Sequence, residues 1–219
     1  MSVAHKYVPR LRARITRFGA DETGTTLVEF TFVLVLFLLI FFGLIDFGRM
    51  AFHYVTAERA MQVAARVAAV RPPACGGVPE FNARGPVGPT EIPPDFGTSC
   101  NIGANICQAV ATVTCTGSAA NATANEIWNI VRGTLPNSAT IANMSFSYEH
   151  DNNLGFLGGP YVPVVTVELQ NLQFDYISPL GALVGLTGAA ADANLGASIS
   201  FPDMSVSLPA EDLAMGDNG

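Results

Sequence analysis

One carboxylate, Glu29, stands inside an otherwise apolar run that extends from Leu27 to Ile45. Thr31 and Gly43 are the only other interruptions of this run. A carboxylate inside a membrane helix costs about 2.5–3.5 kcal/mol on insertion scales, so it needs a partner or a purpose. Pairing with a cationic group would be one such purpose, because pairing two charges in a low dielectric offsets part of their desolvation.

Four cysteines form the second group of candidate residues: Cys75, Cys100, Cys107 and Cys115. In an exported segment, an even number of cysteines indicates two disulfides, for which three connectivities exist. If residues 107–115 form one strand, the first and last of them are about 26 Å apart and cannot pair. We favour Cys100–Cys107 with Cys75–Cys115. A zinc site is the alternative, and the lack of a C-x-x-C motif or a nearby histidine argues against it.

Motifs for catalysis are lacking in the sequence. It contains no glycine-rich phosphate loop, no H-E-x-x-H and no G-x-S-x-G. His5, His53 and His150 are not accompanied by a nucleophile motif. Asp203 begins a D-x-S-x-S sequence of the kind found in metal-dependent adhesion sites, which we interpret as a strand with alternating serines. We therefore predict no catalytic residue, no metal site, no cofactor and no enzymatic activity.

The distribution of charge shows which elements must position these residues. Residues 1–20 carry five basic side chains and no acidic one, whereas residues 72–219 carry 13 acidic and two basic side chains. Acidic residues outnumber basic ones 18 to 11 in the whole chain, which argues against a nucleic-acid partner. Residues 25–47 would form a helix of about 34 Å, enough to cross a hydrocarbon core of about 30 Å.

The basic segment before the apolar run sets the expected orientation in a membrane. Positive charge is retained in the cytoplasm, so we expect residues 1–24 inside and the acidic C-terminal part exported. A cleavable secretory signal fits poorly, because Asp46-Phe47-Gly48-Arg49 follows the run where a small-x-small site would be needed. The predicted localisation is a single pass through the inner membrane with a periplasmic head.

The helix should continue beyond the membrane. Apolar residues recur every three or four positions up to Ala68, and no proline occurs before Pro72-Pro73. We therefore predict one helix from about Thr25 to Val70. Asp46 and Arg49, three residues apart at the membrane exit, could pair there.

The remainder should be one exported head, residues 71–219. Residues 72–118 form a loop region rich in proline, glycine and cysteine, since residues 72–94 alone hold seven of the 14 prolines. A helix is expected from Asn121 to Leu135. The strand patterns are Ser145–Tyr148, Val162–Leu169, and Ser198–Phe201 continuing into Ser205–Leu208, with a turn at residues 151–155 and a short helix at residues 178–188. This is an α+β fold, in which a long N-terminal helix leads into a small antiparallel sheet, covering helices and a disulfide-tied loop.

Gly24 and Glu29 together resemble a prepilin (class III) signal. A basic leader precedes Gly24, the glutamate follows five residues later, and the apolar run begins at once. The resemblance implies that a prepilin peptidase cuts after Gly24, so that Thr25 becomes the N-terminus and its ammonium pairs with a Glu29 carboxylate. An ordinary signal anchor with an interfacial glutamate is the alternative.

The chain also resembles the TadE-like pilus-assembly family over residues 18–71. The resemblance is carried by Glu29-Phe30, by Gly43-x-x-Asp46-Phe47-Gly48-Arg49 and by Ala64-Ala65-Arg66, and more loosely by the strand at residues 205–208. It implies a minor pilin or pseudopilin of a tight-adherence (type IVb, Flp) pilus in a Gram-negative envelope. The implied partners are the inner membrane, a prepilin peptidase, other pilins and proteins of the assembly platform. The alternative is an uncleaved, signal-anchored periplasmic scaffold or adhesin.

Overall fold

The computed structural model of the protein describes residues 25–179, 198–211 and 213. Its first element, helix α1, comprises Thr25–Val70, the range expected from the apolar run and the alanine-rich continuation. The hydroxyls of Thr31 and Thr56 donate to carbonyl oxygens one turn earlier, at 2.8 and 3.0 Å, so these polar groups are satisfied within the helix. The helix ends just before Pro72-Pro73, where the missing backbone N–H groups prevent its continuation.

The described chain divides into two compact units. The first contains α1 up to Gly48 together with the segment that begins at Tyr176. The second contains α1 from Arg49 onward, the chain up to Asp175, and the chain from Ser198.

The second unit is built on six short strands. They are β1 (Val113–Thr116), β2 (Met144–Glu149), β3 (Val164–Leu169), β4 (Gln173–Phe174), β5 (Ile199–Ser200) and β6 (Met204–Pro209). Four of them form an antiparallel sheet in the order β1-β2-β3-β6, and β4 pairs with β5 in a separate two-stranded sheet. The register places Phe146 opposite Val167, which in turn lies opposite Val206.

One face of the four-stranded sheet supplies much of the core. Alternate residues of β3 are buried, as the two-residue period of a strand requires. In β2, Met144, Phe146 and Tyr148 follow the same period, and Ser145 is buried as well. Ala57, Met61, Ala64, Ala65 and Ala68 are the buried face of α1 in this unit. Alanines at most of these positions let the helix backbone come close to the rest of the core.

Helix α2, Ala122–Val131, contributes Ile127 and Val131 to the core. The side chain of Asn121 caps it by accepting a hydrogen bond from the backbone N–H of Ala124 at 2.9 Å. A short 3-10 helix, Arg132–Thr134, extends it toward Pro136. The helical segment thus matches the one expected between Asn121 and Leu135.

The Asx turn expected after β2 is present. The carboxylate of Asp151 accepts from the backbone N–H of Asn153 at 2.9 Å, and Gly155 adopts a φ of +77°. The turn occupies only the first part of a long connection, residues 150–163, between β2 and β3. The proline-rich stretch from residue 72 to residue 94 contains neither helix nor strand, as expected from its composition.

Two strand predictions need correction. The last strand is not continuous: β5 and β6 belong to different sheets and are separated by Phe201, which is buried, and by Pro202, which has no N–H to donate to a ladder. The third strand begins at Val164 instead of Val162, because Pro163 interrupts the hydrogen-bonded ladder in the same way.

The architecture is α+β, as predicted: a long apolar N-terminal helix, a small antiparallel sheet, a second helix and two disulfides. Within the described ranges, α2 and two 3-10 turns are the only helical elements besides α1. Of the helix expected at residues 178–188, the part from Leu180 onward lies outside the described residues.

Candidate functional site

The proposed processing site lies at the start of α1. Gly24 is outside the described residues, and Thr25, the first of them, is helical. Glu29 follows Thr25 by one turn, so the two residues share a face of the helix. The side chains of Glu29 and Phe30 are both exposed.

The apolar surface of the first part of α1 is left uncovered by the rest of the chain. None of the most hydrophobic 18-residue window is buried, and the helix is long and apolar enough to cross a membrane. This part of the helix carries large exposed side chains, among them Leu27, Phe32, Leu36, Phe37, Phe41 and Leu44. Apolar surface on all sides is typical of a helix whose surroundings are lipid or other helices. The helix is therefore consistent with a single-pass membrane protein.

Asp46, at the end of the apolar run, is buried, in contrast to the exposed apolar side chains before it, and has 1% of its surface exposed. Its carboxylate accepts hydrogen bonds from the backbone N–H of Ile177 at 3.4 Å and of Ser178 at 3.2 Å. The Ser178 hydroxyl also donates to it. Three donors compensate for much of the lost hydration of the carboxylate. The predicted pairing of Asp46 with Arg49 stays a prediction.

Phe47, the next residue, packs against the same returning segment. Its ring lies 6.2 Å from that of Tyr176, at an interplanar angle of 71°. Edge-to-face packing places the positive edge of one ring against the negative face of the other. Asp46 and Phe47 thus join α1 to residues 176–178 through both hydrogen bonds and ring packing.

Arg49 begins the part of α1 that belongs to the second unit. Its guanidinium carbon lies 5.4 Å from the ring centroid of Phe174, within the range of a cation–π contact. The imidazole of His53, one turn further along, lies 6.0 Å from the same ring. Phe174 is therefore the common neighbour of the two polar side chains.

A shallow apolar groove lies between α1 and α2 in the second unit, with a volume of about 220 Å³. Ala60 and Val63 line it from α1, and Ile130 and Val131 line it from α2. Arg59 is its charged lining residue.

The cysteines are joined as Cys75–Cys115 and Cys100–Cys107, with Cα–Cα distances of 5.6 and 5.2 Å. This is the connectivity favoured from the sequence, although one premise was wrong. Residues 107–115 are not a single strand, since β1 begins only at Val113. The first disulfide links the chain just after α1 to the edge strand β1, and the second closes a small loop whose cysteines form a buried cluster with Leu157.

The described part of the chain contains no group of three or more His, Cys, Asp or Glu side chains placed to hold a metal ion. The serines of the D-x-S-x-S sequence lie on β6 and are exposed, as interpreted from the sequence, and Asp203 directly precedes the strand. The carboxylate of Asp203 accepts a hydrogen bond from the backbone N–H of Asn171 at 3.3 Å.

Sequence reasoning missed Tyr176, Ile177 and Ser178 as partners of the residues that follow the apolar run, Asp46 and Phe47. The distance of 131 residues between Asp46 and Ile177 hides this contact from any local pattern. One signal could have drawn attention to the segment: no charged residue stands between Asp175 and Asp192. A run of this kind is unusual in a C-terminal part that is otherwise acidic.

Comparison with known proteins connects this site to a family. The family model described as TadE-like protein matches residues 24–66. The match begins at the proposed cleavage glycine and includes Glu29, Asp46 and Arg49. Comparison with curated proteins and with solved structures gave no match. Over residues 24–66 the chain thus matches the model of the TadE-like family, the family indicated by its sequence resemblance.

Proposed function

We propose that the protein is a non-enzymatic, pilin-like subunit, a minor pilin or pseudopilin, of a tight-adherence type IVb pilus. It enters the inner membrane through α1 with its N-terminus in the cytoplasm and is cut by a prepilin peptidase after Gly24. The observation that carries the proposal is the coincidence of three features. The family match begins at Gly24, Glu29 follows five residues later, and the helix that contains Glu29 has an uncovered apolar surface.

The uncovered surface of α1 is the first support for a role in a membrane or a filament. Burial of apolar surface contributes roughly 25 cal/mol per Å². A helix exposed over several turns of leucine, isoleucine and phenylalanine would therefore aggregate in water. Lipid before assembly, and neighbouring helices after it, are the surroundings that such a surface needs.

The helix start offers the second support. Cleavage after Gly24 would place a new ammonium at Thr25, where the partial positive charge of a helix N-terminus disfavours another cation. A carboxylate from Glu29 of the same or a neighbouring subunit would neutralise it within low dielectric. Glu29 is thus the residue that we assign to subunit entry, and Phe30 to the adjacent packing surface.

Two glycines offer the third support. A Cβ atom added at Gly43 or Gly48 would meet no described atom within 4 Å apart from the adjacent residues and the nearby backbone of α1 itself. A glycine inside a helix costs roughly 0.5–1 kcal/mol relative to alanine, and the described chain gives no packing reason for it. Small residues allow another helix to approach closely, which is how helices associate in membranes.

N-terminal sequencing and intact mass of the membrane-extracted protein test the processing step. We expect the chain to begin at Thr25, and Gly24→Leu to leave the leader attached without preventing insertion. An intact Met1 start in cells with active prepilin peptidase would contradict the proposal. It would favour the uncleaved, signal-anchored scaffold or adhesin instead.

Glu29→Ala tests the role in assembly. We expect normal processing but a loss of the protein from sheared pili or from its complex with assembly-platform proteins. Glu58→Ala is the matched control, since Glu58 is an exposed acid on the same helix beyond the apolar run. Equal incorporation of both variants would refute charge pairing by Glu29.

A further inference from the structure

The burial of Asp46 stands in contrast to the residues beside it. Leu44 is 69% exposed and Phe47 is 55% exposed, whereas Asp46 is 1% exposed. Its cover includes the returning segment, because Ile177 and Ser178 donate hydrogen bonds to its carboxylate. Such a contact fixes the position of these two residues along α1 to within a few ångströms.

This position has a consequence for depth in a membrane. Asp46 directly follows the apolar run, and a helix of residues 25–47 is about 34 Å long against a hydrocarbon core of about 30 Å. If α1 crosses the bilayer, the Asp46 carboxylate lies in the interface. Ile177 and Ser178 must then lie at the same depth, since their N–H groups are within hydrogen-bond distance of that carboxylate.

The chemistry of the returning segment suits this depth. Tyr176 has an apolar ring with a polar end, a combination enriched where membranes meet water. Ile177 leaves 73% of its surface uncovered. The surrounding sequence is also free of charge, from Tyr176 through Ala191.

The hydrogen bonds to Asp46 remove the main obstacle to such a contact. Backbone N–H groups near hydrocarbon are costly unless they have an acceptor. The Asp46 carboxylate accepts from two consecutive N–H groups and from the Ser178 hydroxyl. It therefore satisfies the donors of the segment while leaving the apolar side chain of Ile177 outward.

We propose that residues 176–178 form a second membrane-contact site, in which Tyr176 and Ile177 enter the bilayer interface beside the end of the apolar run of α1. Asp46 is the positioning residue that holds them there. The partner is the lipid surface of the membrane that α1 crosses. This inference rests on the proposed function, because it requires α1 to be a membrane span.

Quenching of tryptophan by brominated lipid tests the contact. The full chain is reconstituted in phosphatidylcholine–phosphatidylglycerol vesicles, and Trp128, the one native tryptophan, is replaced by phenylalanine. In this background, Ile177→Trp should be quenched most by lipid brominated near the headgroup. Leu36→Trp, in the middle of the span, should be quenched most by lipid brominated near the chain end.

Ile102→Trp is the matched control for the affinity of tryptophan itself for membranes. Ile102 lies in the head and is as exposed as Ile177, at 73%. We expect the fractional quenching at position 177 to be at least about half of that at position 36, and near zero at position 102.

The outcomes separate the two proposals. Quenching at position 36 without quenching at position 177 overturns the second contact and leaves the membrane span intact. Absence of quenching at position 36 overturns the span and, with it, the second contact. Equal quenching at positions 177 and 102 also overturns the specific site, because the whole head would then lie on lipid.

The role of Asp46 is tested in the same vesicles. Asp46→Ala should lower quenching of Ile177→Trp several-fold and leave that of Leu36→Trp unchanged. Ser178→Ala removes only the hydroxyl donor and should have a smaller effect in the same direction. Unchanged quenching at position 177 in both variants would refute positioning by Asp46.

Discussion

The two disulfides should contribute unequally to the stability of the head, because they close loops of very different length. Cys75–Cys115 joins residues 40 positions apart, and Cys100–Cys107 joins residues seven apart. The perturbation is reduction of one disulfide at a time. Cys100→Ala with Cys107→Ala leaves only the long loop closed, and the complementary pair of alanines leaves only the short one.

The magnitude follows from the chain entropy that each link removes from the unfolded state. Loop closure contributes about 4 kcal/mol for 40 residues and about 2.4 kcal/mol for seven. Reduction of the long-loop disulfide should therefore lower the free energy of unfolding by about 1.5 kcal/mol more than reduction of the short-loop one. Each variant is compared with itself, oxidised and reduced, so the packing changes caused by the alanines cancel.

The assay is urea unfolding of the full chain in detergent, followed by the fluorescence of Trp128 with and without dithiothreitol. Trp128 lies on α2, and the side-chain amide of the α2 cap residue Asn121 donates to the Pro73 carbonyl at 3.2 Å. The probe thus reports on a helix tied to the chain close to Cys75. The slope m should stay similar if the same surface is exposed in each case.

Two results would refute this reasoning. Equal losses of stability from the two reductions would show that loop length does not set the contribution. A larger loss for Cys100–Cys107 would show that its packing against the buried Leu157 dominates over chain entropy.

Two further predictions concern groups that connect α2 and the sheet to the end of α1. The phenol oxygen of Tyr148 accepts from the buried N–H of Ala74 at 2.8 Å, so Tyr148→Phe should cost about 1–3 kcal/mol in urea unfolding. Burial raises the pKa of Tyr148 above its usual 10.0, so the folded state keeps a proton that the unfolded state loses. The stabilisation by the protonated Tyr148 phenol is therefore complete below pH 10.0 and is lost as the pH rises through the raised pKa. The free energy of unfolding measured across this range should decline less in Tyr148→Phe than in the parent chain. Identical declines would contradict the assignment. Asn121→Ala should cost about 1 kcal/mol through loss of the α2 cap, measured by the same unfolding assay. Its control on the same helix is Glu126→Ala, which breaks an exposed ion pair with Arg71 and should cost less than about 1 kcal/mol; a greater loss from the control would reverse the expected order.

Helix limits could be predicted from the sequence because they depend on neighbours a few residues away. Pro72-Pro73 ends α1 by lacking N–H donors, and Asn121 and Pro136 bracket the helical segment of α2. The same local chemistry identified the Asx turn at Asp151. The separation of β5 from β6 was missed, because an alternating pattern gives no information about which neighbouring strand each residue pairs with.

The candidate site likewise combines features that depend on neighbouring residues with features that depend on distant ones. The sequence by itself determined the apolar run, the position of Glu29 one turn after Thr25, and the pattern matched by the TadE-like family at residues 24–66. These properties are composition and short spacing, which a single helix preserves whatever surrounds it.

Only the tertiary structure decided which distant groups meet. It selected one of three cysteine connectivities, brought Tyr148 to the N–H of Ala74, and placed Ile177 and Ser178 on the carboxylate of Asp46. Asp46 and Ile177 are 131 residues apart, so their contact depends on how the intervening chain packs. A buried carboxylate is retained only where donors reach it, and here those donors are backbone N–H groups, which every residue except proline carries. Residue type alone therefore could not reveal the partner of Asp46.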